Sequence, residues 1–327
     1  MSQLHKNICA GTLLMETPRT IDDLCATGGV EYLDGNLESI ALLGTQLSEA
    51  LISAHNGAAF ASGLGGFASL QSTAHPFRLS SRRMTFQFHP LASVHVLNTA
   101  GRAGPKTGLA VSDMRGNLSL RLDTNGGYDT NVIRALDCIP EPPENPRGFE
   151  YHSVPDELPL NVIPLNAVRS ARHRWSQDSS ASHLDAFCQD GGLSRAVTLP
   201  YIGQHKAWRV ITEVLPSFLT YLLRHNIGFA PLVATRGFLF GNVLKKGTAH
   251  KVDSVFWIAN GPQTFALLLD QVAAAWITIC GPTMHLELYG MDGRAISALV
   301  PDRNEDWKRW NTLLASLPQV RPFTQRC

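Results

Sequence analysis

LPSFLTYLLRHNIGFAPLVATRGFLFGNV, residues 215–243, decides how the fold is read. Phe218, Leu219, Leu222 and Leu223 recur at helical spacing and give one apolar face. Asn226 and Gly228 stop that helix, because both residue types tolerate the left-handed backbone in which helices end. Strand-like runs follow. Earlier in the chain, LGTQLSEALISAHNGAAFASGLGGFASLQ, residues 43–71, has the same order. It reads as an amphipathic helix, a break at His55-Asn56-Gly57, and then short strands. One order of elements used twice argues for a duplicated unit.

The parallel extends downstream. Thr73-Ala74-His75 echoes Thr248-Ala249-His250, and NLSLRLDTNGG (117–127) echoes HLELYGMDGR (285–294), each an alternating strand running into a glycine turn. In the second half FLFGNVL, KVDSVFWI, TFALLL, VAAAWITIC, HLELYG and RAISALV are separated by short turns, which predicts an antiparallel meander. The stretch DRNEDWKRWNTLLASLP predicts a closing helix, capped by Asp302, with Trp307, Trp310, Leu314 and Leu317 as its buried stripe. The fold class is therefore α+β, with two structurally repeated halves, each a mainly antiparallel β-meander flanked by helices. The two units are expected to pack together. Prolines at 140, 142, 143, 146, 155 and 159 lie among acidic residues and predict an extended connector. The expected division is a first repeat at 1–140, a connector at 141–165 and a second repeat at 166–327.

The chain has 327 residues, 44% of them hydrophobic and 17% charged, with a formal net charge of +1. That is enough apolar material for a large core, and the balance of charge argues against a nucleic-acid partner. The six cysteines are scattered with no C-x-x-C pair, a usage that fits a reducing cytoplasm. No signal peptide and no membrane span are expected. Walker, nucleophile-elbow, H-E-x-x-H and EF-hand motifs are missing, and ASGLGGFASL (61–70) lacks the dinucleotide-binding spacing.

From Trp175 onward a series of segments stands out: Trp175, His183, Leu193-Ser194-Arg195, FAPLVATRG (229–237), AAAWIT (273–278), HLELYGMDG (285–293) and WNTLLASLP (310–318). In order and in most spacings this series resembles the bacterial cytoplasmic haemin-transport and haem-degrading factors of the HemS/ChuS type, as a divergent member. The resemblance is much fainter in the first half. It implies that His183 is an axial ligand of haem iron, that Arg195 contacts a haem propionate and that Lys251 does the same. The chemistry suits these residue types. A neutral imidazole nitrogen binds iron, the porphyrin face asks for an apolar pocket, and propionates ask for cations.

The chain departs from the family where degrading members carry an arginine over the distal face of haem. Gln87 stands there, and Ile279 stands where a second family arginine would be. Glutamine can hydrogen-bond a distal water but brings no charge to stabilise reduced oxygen. Arg82, Arg83 and His89 are the substitutes if the register slips. Three readings follow. The first is a cytoplasmic haem-binding protein for haem storage or trafficking during haem uptake, ligated by His183 and handing its cargo to a haem-accepting, or taking it from a haem-importing, protein. The second is a haem-degrading, oxygenase-like enzyme. The third is a non-haem scaffold that keeps the fold.

Overall fold

A computed structural model of the chain describes residues 28–33, 47, 50–64, 70–71, 77–80, 84–88, 93–101, 104–112, 118–124, 127–134, 138–139, 168–170, 172–173, 175, 193–235, 238–302 and 307–320. Their strands form two antiparallel sheets. The ten-stranded sheet runs in the order Cys138–Ile139, Gly28–Leu33, Ser93–Gly101, Gly104–Ser112, Leu118–Asp123, Leu51–His55, Ala59–Leu64, Gln263–Leu268, Val255–Asn260, Thr248–Val252. The nine-stranded sheet runs Ala207–Val210, Ala274–Cys280, Thr283–Tyr289, Ala295–Pro301, Phe229–Thr235, Phe238–Asn242, Met84–Phe88, Phe77–Ser80, Leu70–Gln71.

Leave aside the short strand Cys138–Ile139 and the two orders are the same. Leu51–His55 takes the place of Phe229–Thr235, Ala59–Leu64 of Phe238–Asn242, and Leu118–Asp123 of Ala295–Pro301. The duplication is thus written in the topology. The halves do not, however, form two self-contained units that pack together. Each lends three strands to the other's sheet, through Thr264↔Ser62 and Phe265↔Ala61 on one side and Leu239↔Gln87 and Phe240↔Phe86 on the other. A strand edge left bare exposes unpaired backbone groups, and the exchange closes one such edge in each sheet.

Polar side chains fix the crossing. Asn56 Nδ2 donates to the carbonyls of Ala234 and Ile296, both at 2.7 Å, while its Oδ1 accepts from the N–H groups of Ala58 and Ala59. Gly57, at φ +86°, makes that turn possible. Nearby, Asn242 Nδ2 donates to the Ser62 carbonyl at 2.6 Å. A Cβ on Gly63 would lie 2.5 Å from that same nitrogen, so the approach requires glycine. One continuous core then joins both sheets, with Ile52, Leu109 and Leu122 from the first and Val233, Ile277 and Leu286 from the second. The helices Leu215–Arg224 and Trp307–Ala315 pack into it through Leu219, Leu222, Trp310 and Leu314.

The helix expected at 215–224 forms, buries all four of its stripe residues and ends with Asn226 at φ 52°. Other expectations are corrected. Leu51–His55 is a strand, with Ile52 and Ala54 buried in alternation, and the break at His55-Asn56-Gly57 is a hairpin turn. KVDSVFWI is split by a turn at Asp253, φ 51°, into Thr248–Val252 and Val255–Asn260. NLSLRLD corresponds in sheet position to Ala295–Pro301, one strand beyond HLELYG; both alternate and abut glycine turns, so pattern alone cannot separate them. Trp307 is 44% exposed, while Trp310 is buried and donates its indole N–H to the Met284 carbonyl. The connector placed at 141–165 lies outside the described residues.

If Asn56 pins one sheet to the other, Asn56→Ala strands two carbonyls and two turn N–H groups at once. Urea unfolding of the variant should give a stability about 2–3 kcal/mol below the parent. A surface control such as Asp270→Asn should change it by less than about 0.5 kcal/mol.

Candidate functional site

Alternation along the strands gives the nine-stranded sheet a second buried face, turned away from the common core. Ala230, Leu232 and Ala234 lie on it from one strand, Leu239 from the next, and Ala298 and Tyr289 from two others. Three of these six are alanines, which keep the surface low around them. Leu199 and Ile202 reach onto it from the segment that follows the helix Leu193–Thr198, and Trp175 reaches it from further upstream.

On this face sits a buried ion pair. Arg195, 6% exposed, grips Glu287, 2% exposed, with both prongs of its guanidinium. Nε donates to Oε2 at 2.8 Å and Nη2 to Oε1 at 2.5 Å. Thr278 Oγ1 donates to Oε1 and Tyr289 OH to Oε2, each at 2.6 Å. Strand register explains the assembly: Thr278 is opposite His285, and Trp276 opposite Glu287, so alternate residues of two neighbouring strands meet on one face. The Arg195 guanidinium lies 4.1 Å from the centre of the Trp175 ring, and the Trp175 indole N–H reaches the Ile279 carbonyl at 3.3 Å. Cys280 Sγ completes the cluster, 3.5 Å from Thr278 Oγ1 and 3.9 Å from Arg195 Nη2.

Burial pushes the Glu287 carboxyl up. The Arg195 charge, with hydrogen bonds from Arg195, Thr278 and Tyr289, outweighs it and holds the group below the usual carboxylate value of 4.5. Burial alone would lower Arg195, but Glu287 raises it. Burial pushes the Cys280 thiol up to about 12, with Arg195 only partly opposing, and pushes His285 down to about 4. The cluster therefore holds one matched pair of charges, a neutral imidazole and a protonated thiol.

The residues singled out in the sequence are not all brought together. His183 lies outside the described residues. Arg195 is buried against Glu287, and a propionate would have to compete with that carboxylate for it. Lys251 is exposed on Thr248–Val252, the edge strand of the other sheet. Position 87 pairs directly with Leu239, a residue of the small-residue face, and with Arg78 on its other side. Arg82, Arg83 and His89 are outside the described residues, and Ile279 is half-buried on Ala274–Cys280. Sequence reasoning missed Glu287, His285 and Cys280. The trace it could have used was a charged residue inside the apolar strand HLELYG, since a carboxylate there must find a cation.

No protein-family model matches the chain, and no curated protein matches it in sequence. Solved structures do match. ChuS, a heme degrading enzyme of Escherichia coli O157:H7, aligns with TM-score 0.72 at 18% identity over 88% of this chain and 87% of its own. A second structure of ChuS, described as an E. coli heme oxygenase, gives 0.73 at 17% over 96% and 97%. Holo-PhuS, a heme-binding protein from Pseudomonas aeruginosa, gives 0.70 at 13% over 91% and 88%. The chain has the ChuS and PhuS fold. At these identities the likeness is one of architecture, two repeated α+β halves, and it extends over both of them, including the half whose sequence resemblance was faint. Among the described residues no helix is long and apolar enough to cross a membrane.

Two outcomes test the ion pair. Arg195→Ala leaves Glu287 charged and buried, and should cost about 3–5 kcal/mol in urea unfolding, whereas Arg195→Met with Glu287→Leu should recover most of the loss. Stability should also depend on acid in a defined way. An unfolded histidine takes up a proton near 6.5, and folded His285 only near 4. In that window the unfolded state holds the extra proton, so stability falls as pH drops from 6.5 towards 4, by up to roughly 3 kcal/mol. Glu287, depressed below 4.5, adds a further loss below that value. His285→Gln should flatten the upper part of the curve.

Proposed function

We propose that this protein binds haem on the small-residue face of the nine-stranded sheet, with His183 as the iron ligand, and that it carries haem rather than degrading it. The observation that carries this reading is the pinning of Trp175 and Arg195 to that face, 4.1 Å from each other. The chain between them, 176–194, begins and ends at one place, and His183 is on it. A face of alanine and leucine suits a flat apolar ring, which gains by burial and needs few polar contacts. The fold shared with a heme-binding protein and a heme degrading enzyme agrees with this.

In this reading Arg195 supports the ligand segment through Glu287, while Lys251, on the edge strand of the other sheet, has only the family resemblance to make it a partner for a propionate. Gln87, opposite Leu239 in the register, borders the same face. Carriage is preferred to degradation because an uncharged residue stands at 87, where the resemblance would put a distal arginine to stabilise charge on bound oxygen. The protein that gives or takes the haem is expected to meet it in the cytoplasm.

Titration of the hemin-free protein with hemin should yield a sharp Soret band that saturates at one equivalent. His183→Ala should lose or markedly shift it, while His225→Ala should leave it unchanged. Under ascorbate and oxygen, with catalase present, the band should persist. Loss of the band together with an open tetrapyrrole would make the protein an enzyme, and no Soret band at all would refute haem binding.

A further inference from the structure

Three side chains of the cluster have ligand atoms for a metal. Cys280, His285 and Glu287 are all buried, and one ligand atom of each lies within 4.8 Å of those of the other two. They are not equivalent. Each oxygen of Glu287 already accepts two hydrogen bonds, from Arg195 and Thr278 and from Arg195 and Tyr289. His285 is different. It is 3% exposed, and none of the hydrogen bonds to Glu287 comes from it.

We propose that Cys280 and His285 form a binding site for a monovalent soft metal ion, copper(I), with Glu287 remaining paired to Arg195. Thiolate and imidazole are the donors that select such an ion. Bonds of about 2.3 Å to sulfur and about 2.0 Å to nitrogen, taken from zinc sites as a scale, span up to about 4.3 Å in line. A separation of no more than 4.8 Å puts both donors within reach of one ion.

Charge decides which ion. Binding breaks the S–H bond of Cys280 and forms S–Cu. The proton leaves to the buffer, and the copper keeps its oxidation state. One positive charge replaces another, and the buried cluster stays neutral. Zinc(II) in the same place would add a net positive charge beside Arg195, in a site closed to water, which is disfavoured. The inference concerns the hemin-free protein and does not rest on the haem reading.

The test uses the whole hemin-free chain under anaerobic conditions, with copper(I) held by a chelator whose copper complex is coloured. The wild type should withdraw one equivalent more than Cys280→Ser or His285→Ala, each of which should bind that equivalent at least 100-fold more weakly while still melting cooperatively. Equal withdrawal by wild type and Cys280→Ser would overturn the proposal, because the other cysteines would then account for the copper. Withdrawal of none by the wild type would overturn it too. Should the variants fail to fold, X-ray absorption of the wild-type complex decides: one sulfur and one imidazole nitrogen support the site, and two or more sulfurs refute it. A tenfold excess of zinc(II) should leave the copper in place, and displacement would refute the monovalent assignment.

Discussion

A carboxylate closed off from water must be matched by a cation. That requirement, imposed by Glu287 in the middle of a strand, orders one whole side of the molecule. Arg195 answers it with a two-pronged contact, and Thr278 and Tyr289 fill the remaining acceptor positions. Because Arg195 comes from a helix outside the sheet, satisfying Glu287 also docks that helix. Trp175 over the guanidinium docks the chain before it. A buried pair of this kind is weak as a source of net stability but strict about geometry, since either partner alone is heavily penalised. Strictness is what the segment proposed to carry the iron ligand needs.

The exchange of strands between the sheets sets a second constraint. Thr248–Val252, Val255–Asn260 and Gln263–Leu268 complete the sheet of the first half, and Met84–Phe88 extends the sheet of the second. Neither sheet can reach its full width from one half of the chain. Folding of the two halves is therefore coupled, with Asn56 and the Gly63–Asn242 contact as the points where register is fixed. The buried residues of the face proposed to bind haem come from the second half, and Met84–Phe88 of the first half adjoins them through Phe238–Asn242.

Much of this was legible in the sequence, and the limits were physical. Local periodicity gave the helix at 215–224, the strands of the second half and the α+β class, because each depends on neighbours in sequence. The duplication was legible for the same reason, although NLSLRLD was matched one strand away from its true counterpart. The exchange was not, since strand alternation says which face a residue takes and nothing about which strand lies beside it. Leu51–His55 was misread because a short apolar run fits helix and strand alike. Trp307 was misread because a large apolar residue at the end of a stripe can lie over the rim. At the site, Trp175 and Arg195 were marked by resemblance alone. Their actual partners, Glu287 and Ile279, lie far along the chain and carry no local signal that names them.

The central claim is that an imidazole from residue 183 meets iron against the small-residue face of the nine-stranded sheet. Anomalous diffraction at the iron edge from crystals grown with hemin tests it most directly. The account predicts one strong iron peak on that side of the sheet, bonded to residue 183, with Ala230, Ala234 and Leu239 beneath the ring. Iron on the opposite face, or bonded to another histidine, would contradict it.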